Sequence, residues 1–145
     1  MPPRIAPDDP FIGLWHFDEA SADYQLGSPP HNASYDITTD GQRYTMTMRW
    51  TTAEGHTIEQ AYVAIPDGVQ YEFSDSPGID SFDMTRVDAR TLDTTARKDG
   101  AVVSHASRVL SPDGNTMTIT TEMVIPNGDR YTNLAVYVRS QPQQD

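Results

Sequence analysis

In "FDMTRV", residues 82–87, Arg86 follows Met84 by two residues and Phe82 by four, so in an extended chain it ends an apolar stripe on one face. A guanidinium turned indoors in this way needs a carboxylate, supplied either by the protein or by an acidic ligand. The competing placement is solvent, because Arg86 stands just before a turn at Val87-Asp88-Ala89-Arg90 and arginine is generally exposed. His105, in "AVVSHASRV" with Ser104 and Ser107 nearby, would suit acid–base work in a pocket if it faced inward beside an orienting group. Otherwise it is a surface or satisfied core histidine. His16, His31 and His56 are scattered, and no His-x-His or His-x-x-x-His pair occurs, so no metal is expected. "DSPGIDSFD" groups Asp75, Asp80 and Asp83 but lacks the ligand order and closing Glu of a calcium loop. Glu59 and Glu122 are strand carboxylates that become general-base candidates only if one points inward beside Tyr62 or His105.

These side chains must be positioned by strands. Gly-containing turns recur at Asp40-Gly41, Glu54-Gly55, Asp67-Gly68, Pro77-Gly78, Asp99-Gly100, Asp113-Gly114 and Asn127-Gly128. Glycine supplies the positive φ that tight turns demand, and Asp or Asn caps them. Between the turns the apolar period is two: "YTMTMRW" sets Tyr44, Met46, Met48 and Trp50 on one face, and "MTITTEMVI" aligns Met117, Ile119, Thr121, Met123 and Ile125. The pattern predicts about ten strands, near 11–17, 32–39, 43–51, 57–65, 69–74, 82–87, 91–98, 101–110, 115–125 and 129–139. The rhythm breaks over 18–30, where a helical turn at Asp18–Tyr24 is expected before "LGSPP". "YTNLAVYV" is apolar on both faces from Leu134 onward, and the inward face of 57–65 is equally open.

Short connections favour neighbouring strands paired in sequence order, and closure of such a meander would remove its exposed edges. The expected architecture is therefore all-β, a closed up-and-down antiparallel β-barrel of about ten strands, in one domain spanning 1–145 with residues 1–10 as a flexible arm. The interior of such a barrel is either filled by side chains or kept open for a ligand. Candidates for its lining are Tyr35, Tyr44, Met46, Met48 and Trp50 in the first half of the chain. Tyr71, Phe73, Met84, Arg86, His105, Met123 and Tyr137 supply the second half, with Trp15, Phe17, Ile37 and Phe82 as further inward residues. Met and aromatic side chains adapt to irregular apolar guests, and Tyr adds a hydroxyl for orientation.

Bulk properties narrow the partners. A formal charge of −11, from 21 acidic against 10 basic residues, argues against nucleic acid and anionic membranes, which need a basic footprint. The absence of cysteine excludes disulfides, thiolate metal sites and a thiol nucleophile. No apolar run approaches a membrane-spanning length, and "MPPRIAPDDPF" has no signal-peptide core, so a soluble protein is expected, cytoplasmic if the chain is complete. No Gly-x-Ser-x-Gly elbow, phosphate loop or dinucleotide fingerprint occurs, and no cofactor is expected.

Gly13-Leu14-Trp15, opening the first strand, resembles the Gly-x-Trp signature of lipocalins and related calycins, in which the Trp closes one barrel end and the Gly permits close chain passage. The chain from about Phe11 to Arg139 is similar to small bacterial lipocalin-like proteins of unassigned function. "LGSPP", "RVDARTLD", "RKDG" and "LSPDGNTMTIT" carry that likeness. Two features depart from the wider group. There is no candidate for the carboxy-terminal helix of true lipocalins, which brings the proportions closer to fatty-acid-binding proteins. The glycine-rich opening and late His of nitrobindin-type barrels are missing, so haem is not implied.

The resulting expectation is a lipocalin-like binding protein enclosing a small apolar or amphipathic molecule. The alternative is a cofactor-independent barrel enzyme of isomerase, cyclase or hydratase type. That enzyme would need titratable groups from among Tyr44, Glu59, Tyr62, His105 and Arg86 to converge on one cavity. A homodimer through Leu134, Val136 and Val138 is a third possibility.

Overall fold

A computed structural model describes residues 5–25, 29, 31–52, 54–76 and 79–140, with the backbone alone for 73–76. Ten antiparallel strands follow in chain order: β1 Gly13–Tyr24, β2 His31–Thr39, β3 Tyr44–Thr51, β4 Thr57–Ala64, β5 Tyr71–Ser76, β6 Ile79–Asp88, β7 Thr91–Lys98, β8 Ala101–Leu110, β9 Thr116–Val124 and β10 Arg130–Arg139. Each pairs with its neighbour in sequence except β4 with β5, and β1 pairs with β10, giving one sheet ordered β4-β3-β2-β1-β10-β9-β8-β7-β6-β5. The glycines of the expected turns at 41, 55, 68, 100, 114 and 128 all have positive φ, as tight reversals require. Pro77-Gly78 and all of "LGSPP" but Pro29 lie outside the described residues. No helix among the described residues is long and apolar enough to cross a membrane.

Two expectations are corrected. Residues 18–24 form no helical turn but continue β1, whose pairing with β10 shifts register between Asp18 and Asp23. The Ser21 hydroxyl fills that irregularity, donating to the Asp18 carbonyl at 2.6 Å and accepting from the Val136 amide at 3.2 Å. A neighbouring strand on offer outweighs the local helix preference of this stretch. The ladder is also not closed, since β4 and β5 are the sheet's two edges. The reason lies in their connection, which is tied to β6 and not to β4: Asp67 bridges Thr85, and the Gly68 amide donates to the Met84 carbonyl at 2.8 Å. Side chains span the interval instead, with the Tyr62 ring of β4 edge-on to Phe82 of β6 at 6.0 Å.

One end of the curled sheet is solidly packed. Phe11, Trp15, Ile37, Tyr44, Met46, Leu92 and Met117 have no solvent exposure, and Met84 almost none. Residues 5–10, expected in a flexible arm, are docked beneath this end: Ile5 is buried and its amide donates to the Gly41 carbonyl at 2.8 Å. Arg139 clamps the same end. Its guanidinium lies 4.2 Å from the Trp15 ring centroid and donates to the carbonyls of Ile12 at 2.7 Å, Gly114 at 3.0 Å and Pro10. Gly13 makes this approach possible, because a Cβ there would sit 2.5 Å from Arg139 Nη1 and its φ is +142°. The Gly-x-Trp stretch thus has a local cause: glycine admits the arginine and tryptophan receives it.

Gly13→Ala should therefore displace Arg139 and strain the backbone, costing on the order of 1–3 kcal/mol. A urea melt showing an unchanged midpoint would refute this account of the clamp.

Candidate functional site

Beyond the packed end the interior opens into two chambers. The first, about 270 Å³, lies between Gln60 and Tyr62 of β4 and Ile79 and Phe82 of β6. The second, about 170 Å³, lies against Tyr35, Thr121, Asn133 and Tyr137 of β2, β9 and β10. Met48, Ala106 and Arg108 line both. The alternation of β8 explains how an arginine comes to stand there. Leu110 and Arg108 are buried, while Val109 between them is exposed. Arg108 pairs across the sheet with Leu92 on one side and Ile119 on the other, both buried. Ala106 and Ser104 continue its face and, with Thr94 and Ala96 of β7, are small enough to leave space around the guanidinium.

Arg108 is only 6% exposed. Its Nη1 donates to Thr94 Oγ1 at 2.6 Å, and its Nη2 donates to the hydroxyls of Tyr35 and Tyr62, each at 2.9 Å. Those hydroxyls are 2.5 Å apart, and Tyr35 also donates to the Met46 sulfur at 3.6 Å. The Tyr35–Tyr62 contact and Arg108 together form the partition between the chambers, Tyr35 facing the second and Tyr62 the first. None of the three arginine bonds goes to a carboxylate, and Nε is buried with no hydrogen-bond partner among the described residues. Burial works to lower the Arg108 pKa, but the surrounding tyrosine oxygens raise it overall, so the group remains a cation. Burial pushes the Tyr62 and Tyr137 hydroxyls well above the ordinary tyrosine range, so both are neutral near pH 7. Among the described residues this leaves a positive charge with no carboxylate partner, held among neutral hydroxyls and apolar walls.

Of the residues expected to line a cavity, Tyr35, Met48, Phe82 and Tyr137 do so. Tyr44, Met46 and Met84 belong to the packed end, together with Trp15 and Ile37. Phe17 is also buried, its ring 5.3 Å from that of Tyr137. Trp50 is half-buried at the margin of the core, and Met123 is half-buried outside the chambers. Tyr71 donates to the Asp67 carboxylate at 2.5 Å, and the side chains of Phe73 and Asp75 lie outside the described residues. On β10 the inward set is Asn133, Ala135 and Tyr137, while Val138 is exposed; on β4 it is Gln60, Tyr62 and Ala64.

Two assignments are corrected. Arg86 does turn inward at its strand end, but its carboxylate is the protein's own: Nη2 donates to Asp9 Oδ2 at 2.5 Å, with the side chains 30% and 7% exposed, and also to the Tyr44 hydroxyl. His105 has the opposite parity to Arg108 and stands on the outer face, where its Nδ1 shares a 3.0 Å hydrogen bond with Thr95 Oγ1. The groups proposed for acid–base chemistry do not converge, since Glu59 pairs with Arg49 on the exposed face and Tyr44 sits with Arg86, leaving Tyr62 alone at the chambers. Arg108 itself escaped the sequence reading. The available signal was the run Ser104, Ala106, Arg108, Leu110, a large cation following two small residues on one strand face.

Comparison with known proteins places this arrangement in a class of folds. No protein-family profile and no curated protein matches the chain. Among solved structures it is similar to zebrafish ileal bile acid-binding protein complexed with cholic acid, with a TM-score of 0.58 and 13% identity over 90% of this chain and 99% of the other. Lobster apocrustacyanin A1 gives 0.50 at 12% identity, over 94% of this chain and 64% of the other. Apocrustacyanin C2 gives 0.51 at 12%, over 95% and 65%. The chain thus shares the fold of these antiparallel β-proteins.

Because Arg108 is a buried cation with no charge partner, Arg108→Met should leave the urea midpoint unchanged or raise it, whereas loss of more than about 2 kcal/mol would show a structural role. Raised folded-state pKa values at Tyr62, Tyr137 and Tyr44 mean that unfolded chains release protons first above about pH 10. Their stabilisation is complete below that pH and is lost as pH rises further. Alkaline urea melts should show this decline, and Tyr62→Phe should make it shallower.

Proposed function

We propose that this chain is a binding protein that takes a small amphipathic acid into the interior of its curled sheet. The ligand's apolar body rests on the walls formed by Met48, Ile79 and Phe82, and its acidic group meets Arg108. The observation that carries this reading is the buried guanidinium whose Nε has no partner and whose other bonds reach only neutral hydroxyls. Leaving such a charge unpaired costs several kcal/mol, a large share of a domain's stability, and an acidic occupant would offset that cost. In this reading the sheet works as a barrel closed at the β4–β5 interval by the Tyr62–Phe82 contact, in place of a ladder. The cholic acid complex of the zebrafish protein supports the ligand class, as a carboxylic acid held by a sheet of the same fold. Among the described residues the chamber walls carry no histidine or carboxylate, which favours binding over acid–base catalysis.

Displacement of Nile red, a neutral dye, tests the proposal. Dodecanoate should compete, and its methyl ester should compete roughly 10–100-fold more weakly, the equivalent of one charge-assisted contact. Arg108→Met should abolish the difference. Equal competition by acid and ester in the native protein, or no dye binding at all, would end this reading.

A further inference from the structure

The position of Arg108 says more about the ligand than its charge. A site for a terminal acid places its cation at the end of a single apolar channel. Here the cation stands in a partition with space on both sides: Arg108, Met48 and Ala106 belong to the walls of both chambers. The arginine's hydrogen bonds reach both sides of the partition, because Nη2 is shared by Tyr62 of the first chamber and Tyr35 of the second, while Nη1 donates to Thr94 of the first. The chambers differ in character. The first is the larger and sets Ile79 and Phe82 beside Gln60 and Thr94, whereas the second sets Ile119 beside Thr121, Asn133 and Tyr137. A linear acid anchored by its end would fill one chamber and leave the other unused, forfeiting roughly 25 cal/mol for each Å² of apolar wall it failed to cover.

We infer that the preferred ligand bears its anionic group in the middle of a two-armed skeleton, as a phosphodiester or an internal acid does, with one arm in each chamber. This rests on the binding function proposed above and sharpens it. The single negative charge lies against Arg108, flanked by the two tyrosine rings. The larger arm is apolar and lies towards β4 and β6. The shorter arm lies towards β9 and β10, where Thr121 offers a hydroxyl to a polar substituent.

Two isomeric monoanions separate arm placement from charge and carbon number: dihexyl phosphate, with equal arms, and methyl undecyl phosphate, with effectively one. Isothermal titration of the native protein should show dihexyl phosphate binding at least about tenfold more tightly, a difference of about 1.4 kcal/mol. Ala135→Leu, which fills part of the second chamber, should bring the two isomers to parity. If that variant fails to fold, the comparison in the native protein decides alone. Equal affinities, or preference for methyl undecyl phosphate, would overturn the two-armed ligand. Binding of dodecanoate with neither phosphate would overturn it while leaving the acid-binding function intact. Failure of every probe, Nile red included, would remove both.

Discussion

A guanidinium held indoors, with no counter-charge among the described residues, is the constraint around which the rest of this molecule is arranged. In a medium of low polarizability a lone cation is tolerated only if every available dipole turns towards it. Three hydroxyls from three strands do so here: Thr94 from β7, Tyr35 from β2 and Tyr62 from β4. They come from widely separated parts of the chain, 14, 73 and 46 residues from Arg108, so only the completed sheet can assemble them. The charge is therefore affordable only after folding, and the hydroxyls that soften it do not reach Nε.

The contrast with two other arginines sharpens the point. Each nitrogen of Arg139 donates to a backbone carbonyl and its guanidinium lies over Trp15, while Arg86 meets Asp9. Both belong to the packed end, where they fix the amino-terminal segment against the sheet. Their needs are met by the fold. The need of Arg108 is met only in part, and it sits where small side chains have left room. The molecule divides into a half that is complete in itself and a half that is not.

Much of this was legible in the residue order. Glycines at regular intervals and an apolar period of two gave nine of the ten strands to within a few residues, because turn geometry and alternation are local properties. The misreadings were of long-range origin. Asp18–Tyr24 looks helical in isolation and is held extended by β10, and the break between β4 and β5 depends on Asp67 bridging to a strand further along the chain. At the site, Arg86 stands out in the sequence because Phe82 and Met84 mark its strand face as interior. Arg108 follows alanine and serine, whose smallness signals space and not core, and its hydroxyl partners cannot be inferred from local spacing. Histidine chemistry suggested His105, and alternation, counted from Leu110, sends it outward.

The missing ladder between β4 and β5 leaves two rows of backbone donors and acceptors without strand partners, the kind of margin on which separate copies of a chain can stitch together. Mutual repulsion guards against this, since copies carrying −11 each resist close approach. That guard weakens in concentrated salt and vanishes near pH 4.5, where the net charge falls to zero. Acidity is thus the condition under which this sheet is most exposed to growing beyond its own boundary.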